Sequence, residues 1–184
     1  MIDPSMLDSS FVENVSDMLQ LAIMCCDRPP KALAIDVGCS LSAIYEAMKG
    51  TRTIPIKVRK KLSKLNFTAA ATVALESTGF IRLFGYRKID RHIQSMIVSL
   101  KVTDNIAYKD LEKLPVLLLN KNSRDDMADD DYAQVKIIAE RLVDRTNSNI
   151  NLIMELDTKY KLDLEKYLRG EKEKPQTRER LTAS

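Results

Sequence analysis

The chain has 184 residues, 45% of them hydrophobic and 30% charged, a balance that suits one globular domain or a small domain with a helical extension. It has no run of apolar residues long enough for a membrane span, and its acidic start lacks the basic flank of a signal peptide. One His, no Trp, five Gly and three Cys, two of them adjacent (Cys25, Cys26), argue against most enzymes and against a disulfide framework, so a reduced, cytoplasmic protein is expected; the net charge of +3 hides a strong segregation along the chain.

Residues 1–27 hold Asp3, Asp8, Glu13, Asp17 and Asp27 with no Lys or Arg. Within them, Phe11, Val15, Met18, Leu19, Ala22 and Cys26 recur at three- and four-residue steps, which predicts a helix from Ser10 to Cys26 with one buried stripe. Pro29-Pro30 ends it and opens a short helix over Lys31–Val37, closed by Gly38, which takes a left-handed conformation at low cost. Ser40 is a good N-cap for a helix over Leu41–Lys49, stopped by Gly50, and Pro55 starts a fourth helix to about Leu65. This block, 28–66, has a net charge of +7, which suggests a surface facing a polyanion; a solvated helix face is the bland alternative.

Thr68–Ser77 reads as an Ala-rich helix ended by Gly79. The stretch 80–90 reads equally as a short strand pair or a kinked helix, within a second basic segment (80–101, net +4). Asp90 is placed to cap a helix through Ser99, and a further helix is expected over Asp110–Asn120, with Pro115 at a break or a start. Residues 121–131 form a polar, acidic linker whose last Asp residues favour the positive end of the next helix. The C-terminal third is helical, with Val135, Ile138, Leu142, Leu152, Leu156 and Tyr160 as its seam. Residues 145–149 are either a polar layer in one long helix, able to fix register in a coiled-coil pairing, or a turn between two helices capped by Asn147 or Ser148. The charged segment after Gly170 is expected to be disordered.

The information is concentrated in 30–60. Ala34 is a small residue where two helices would cross, Gly38 follows four positions later at the turn, Ser40 caps, and Ile44 faces inward, with Leu33, Val37, Leu41 and Met48 to complete a small core. After them come GTRTIP and the basic segment Lys57–Lys64. This pattern resembles the lambda-repressor-like (Cro- or XRE-type) helix-turn-helix family, and is also similar to phage regulators of the CII type; the resemblance spans roughly 10–66. The chain departs from the family at Pro30, where Gln or a similar polar residue usually stands.

The resemblance implies an all-α chain. A helix-turn-helix domain would span 1–66 and a helical oligomerisation or effector region 67–169, followed by a tail over 170–184. It implies that the second motif helix reads base edges in the major groove through Leu41, Ser42, Tyr45, Glu46 and Lys49. Their side chains suit base reading, since Leu41 can touch a thymine methyl, Ser42 donate or accept, Glu46 accept from cytosine, Lys49 reach guanine or phosphate, and Tyr45 bond a phosphate or stack on sugar. Arg28, Lys31, Thr51, Arg52, Lys57, Arg59 and Lys60 flank that helix and would clamp the DNA backbone.

The expected function is therefore sequence-specific regulation of transcription, in a phage or mobile element, by a nucleoid-associated protein. It would occupy an operator on double-stranded DNA as a dimer or higher oligomer, with RNA polymerase or another regulator as a further partner. The apolar stretch from Phe80 to Leu100 and the seam of 132–169 are candidates for self-association, equally explicable as the core of a monomer. The alternative function is a protein–protein adaptor that turns the same scaffold toward another regulator or a replication protein. No cofactor is expected. His92 has no partner at ligand spacing, Cys25, Cys26 and Cys39 fall short of a zinc set, and the Asp run 125–131 lacks the Gly and terminal Glu of a calcium loop. No phosphate-cradling Gly loop, nucleophile elbow or paired acid/base motif is present.

Overall fold

A computed structural model describes residues 15–26, 28–86 and 92–170. The expected starts at Ser10 and Asp90, the residues Phe11, Arg87, Lys88 and Arg91, and the tail from 171 lie outside the described residues. Among those described the chain is all-α, with no strand. The helices are α1 (Val15–Cys25), α2 (Pro30–Val37), α3 (Leu41–Met48), α4 (Ile56–Leu62), α5 (Phe67–Thr78), α6 (Ile81–Phe84), α7 (Ile93–Leu117), α8 (Asp129–Tyr160) and α9 (Leu164–Leu168). No helix among the described residues is long and apolar enough to cross a membrane.

Local signals set the ends of the short helices. Gly38 sits at φ 76° and its N–H reaches back to the carbonyls of Ala34 and Ile35, closing α2. The Ser40 hydroxyl accepts from the N–H of Ala43 at 3.2 Å and caps α3. Asn66 does two things at once: its oxygen caps α5 through the Ala69 N–H (2.8 Å), and its amide donates to the Ala22 carbonyl of α1 (2.9 Å). Gly79, at φ 69°, ends α5.

These helices enclose one core. Leu19, Ala22 and Ile23 of α1 pack with Leu33, Ala34 and Val37 of α2, Ile44 and Ala47 of α3, Val58 and Leu62 of α4, and Ala69 of α5. Each large side chain fully buried there contributes about 1.5–3 kcal/mol. A second cluster joins Met18 and Leu21 of α1 and Ala71 and Leu75 of α5 to Tyr86 and to Met154 of α8. The long helix α8 is thereby seated on the N-terminal bundle.

The C-terminal half is simpler than its sequence suggests. Instead of one helix through Ser99 and another over Asp110–Asn120, a single 25-residue helix runs through, because 100–109 contains no breaker and Ala107 and Asp110 are buried along it. Pro115 falls in its last turn, where loss of one N–H costs little helix beyond it. The segment 81–84 is a short helix followed by extended Gly85, not a strand pair. Between α7 and α8, Ser123 and Asp126 form a capping box on a turn of 3-10 helix, and Asp129, Asp130 and Asp131 occupy the first turn of α8.

Residues 145–149 form neither a turn nor a second N-cap. α8 is one helix of 32 residues, about 48 Å long. Its polar layer faces the chain itself: Asn147 donates to the carbonyls of Leu83 (3.0 Å) and Gly85 (2.8 Å), and Asn151 donates to the Asn147 oxygen (3.0 Å). Ile138 and Met154 are buried along the helix, whereas Tyr160 of the expected seam is exposed.

Candidate nucleic-acid interface

The α2–α3 pair is held from behind. Gln20 of α1 donates to the Met48 carbonyl at the end of α3 (2.7 Å), and Ala43, Ile44 and Ala47 fill the bundle core. With that face buried, helical geometry puts the opposite face in solvent: Leu41, Ser42, Tyr45 and Lys49 are exposed and Glu46 is half-buried. The five side chains assigned to base reading therefore share one outward surface.

Some of the polar groups there are already engaged. Ser42 shares a hydrogen bond with the capping hydroxyl of Ser40 (3.0 Å). The Glu46 carboxylate accepts from Arg52 (3.3 Å), and the Glu46 carbonyl accepts from both the N–H and the hydroxyl of Thr51 (3.0 Å each). Glu46 and Arg52 are exposed enough that water and salt weaken the pair, so it can open for a ligand. Arg28 pairs with Asp36 across α2. Cys39, in the turn between α2 and α3, has its thiol pushed up in pKa by burial.

The expected phosphate contacts divide into two groups. Lys31, Thr51, Lys57 and Lys60 are exposed, as are Arg28 and Arg52. Arg59 is turned inward. Its Nε donates to the Ile54 carbonyl (3.2 Å) and meets the Glu76 carboxylate (3.2 Å), whose other oxygen accepts the Ile54 N–H (2.7 Å). This Arg59–Glu76 clamp ties the connection between α3 and α4 to α5.

Glu76 is not legible in the sequence as part of this region. Its only signal is that it is the one acidic residue on the Ala-rich helix α5. Lys61 is a second residue that sequence reasoning leaves out: its ammonium lies where a Cβ on Gly38 would come within 3.3 Å, so a cation stands beside the α2–α3 turn. Together with Lys57 and Lys60 of α4 and Lys64 just beyond its end, it makes a group of four exposed lysines.

Among the described residues no group of three or more His, Cys, Asp or Glu side chains could hold a metal ion. Cys25, Cys26 and Cys39 form no disulfide and are partly buried. Comparison with protein-family models, with curated proteins and with solved structures found no match to this chain.

Proposed function

We propose that the chain is a sequence-specific regulator of transcription that binds double-stranded DNA through a helix-turn-helix formed by α2 and α3. It acts by occupying an operator, as a dimer or higher oligomer, with no cofactor and no chemistry of its own. The observation that supports this reading is the sidedness of α3. A well-capped short helix, anchored on three residues, offers Leu41, Ser42, Tyr45 and Lys49 to solvent beside the exposed cations of α4. A helix with one face exposed suits the width of the major groove, and flanking lysines suit its phosphates.

Selection of bound fragments from sheared genomic DNA tests the reading, run near physiological salt where non-specific binding is weak. A recovered palindrome with half-sites about one helical turn apart is the expected result. It should be lost in the variant Tyr45→Ala/Lys49→Ala, with the helical content unchanged. Recovery of random fragments, or of none, would remove the reading.

Exposed apolar residues on the neighbouring helices favour a second reading, a protein–protein adaptor. Ile35 of α2 is 74% exposed and Ile56 at the start of α4 is 78% exposed. Neither position suits phosphate. DNA affinity that is weak and insensitive to sequence would shift the weight to this reading.

A further inference from the structure

The α7–α8 hairpin is built for more than its own packing. The C-terminal half of α8 is covered by α7 on one side and by the bundle on the other, through Asn147, Asn151 and Met154. Further out the hairpin stands with little support: from 103 to 141 only Ala107, Asp110 and Ile138 are buried. Two helices with so small a shared core are marginal alone in water.

The two flanks of this arm differ. On one, the buried Asp110 carboxylate binds Arg141 (2.9 Å) and Lys113 (3.3 Å), which hold its pKa below the ordinary carboxylate value. Tyr108 is two residues from Asp110 and Val143 two from Arg141, so at 100° per residue each points to the far flank. There Tyr108 and Leu111 of α7, Leu118 at its C-cap, and Tyr132, Ala139 and Val143 of α8 are all exposed.

The ion pairs Asp104–Arg145, Asp110–Arg141 and Lys121–Asp131 fix the antiparallel register. That register sets Tyr108 level with Val143, Leu111 with Ala139, and Leu118 with Tyr132. The flank is thus apolar at its centre, with large residues level with small ones, and at its far end the Arg124 guanidinium lies over the Tyr132 ring (4.2 Å). Its outer edges carry Glu112 on α7 and Lys136 on α8, both exposed and about half a turn apart in level.

We infer that this flank docks a second copy of the chain, related by a two-fold axis running along the hairpin. That axis preserves levels and lays α7 of each copy on α8 of the other, so every apolar row meets an apolar row. It also brings Glu112 of each copy to Lys136 of the other on the same outer edge. An edge bearing one charge of each sign matches itself and gives a strongly acidic or basic partner no advantage. Both arms then point the same way and both bundles lie at one end. The inference stands on the hairpin alone and does not require DNA binding.

Sedimentation equilibrium on the full chain tests it. The wild type should sediment at twice the 20.9 kDa of one chain. Leu111→Lys/Val143→Lys should raise the dissociation constant on the order of a hundredfold, with an unchanged far-ultraviolet circular dichroism spectrum because both side chains are exposed. Glu112→Lys should weaken the dimer about fivefold, and adding Lys136→Glu should restore it. A wild-type mass of one chain at about 100 μM, or a dimer indifferent to the lysine pair, overturns the inference. A charge swap that fails to restore overturns the axis. Loss of the DNA reading would leave all these masses unchanged.

Discussion

The side chain of Asn147, fully buried in the middle of the longest helix, donates at 2.8 Å to the main-chain carbonyl of Gly85, sixty-two residues earlier in the chain. It donates also to the carbonyl of Leu83, and Asn151 supports its oxygen. The last carbonyls of a helix have no partner within it, and α6 is too short to shield its own from the interior. Asn147 supplies the donors, so a polar residue at the centre of α8 is what lets α6 end against it.

Replacing Asn147 by Leu, of similar size, therefore leaves the Leu83 carbonyl without its side-chain donor and the Gly85 carbonyl with only the longer contact from Asn151 (3.4 Å). The expected loss is about 1–3 kcal/mol of unfolding free energy, the cost of one orphaned polar group. Urea denaturation followed by circular dichroism reads it, and a midpoint equal to that of wild type would show that the contact carries no stability.

Glu155 makes stability depend on pH. Burial pushes its carboxyl up from 4.5 to about 7, against the opposing pull of Lys159, while the hydroxyl of Tyr86 donates to it. Between those two values the folded state holds a proton that the unfolded chain has released. Stability should then fall as pH rises from 4.5 to about 7 and level off above, by at most about 3 kcal/mol. Glu155→Gln, neutral throughout, should flatten that slope in thermal melts taken across the range; an unchanged slope would assign it to other groups.

Arg59 and Lys60 are neighbours with opposite roles. Arg59→Ala breaks the clamp on Glu76 and the Ile54 carbonyl and leaves a carboxylate that is only 8% exposed without its cation, so it should destabilise the fold by about 1–3 kcal/mol. Lys60→Ala, on an exposed side chain, should leave the melting temperature within a degree or two. If the DNA reading holds, Lys60→Ala should instead weaken binding equally across sequences and lower the salt slope by about one. Melts and salt titrations of the two variants separate the roles; an unaltered melt for Arg59→Ala would return that residue to the phosphate contacts.

The short helices of the N-terminal half are readable in the sequence because their signals are local. Gly38, Ser40 and Gly79 each act on backbone groups within a few residues, and the apolar steps of α1 and α3 face the core that they predict. The outward surface of α3 follows from the same periodicity, since fixing the buried face of a helix fixes the exposed one.

What only the tertiary structure decided was the partner of each long or polar side chain. Arg59 sits in a basic run whose other members face solvent, and nothing within several residues of it announces Glu76. The polar stretch 145–149 suited a turn as well as a buried layer, and its meaning depends on carbonyls more than sixty residues away. The joining of α7 across Leu100–Lys109 likewise rests on α8 lying alongside it. Capping and periodicity are set by neighbours along the chain, whereas the choice among distant hydrogen-bonding groups is made by packing, which brings together atoms that the sequence keeps apart.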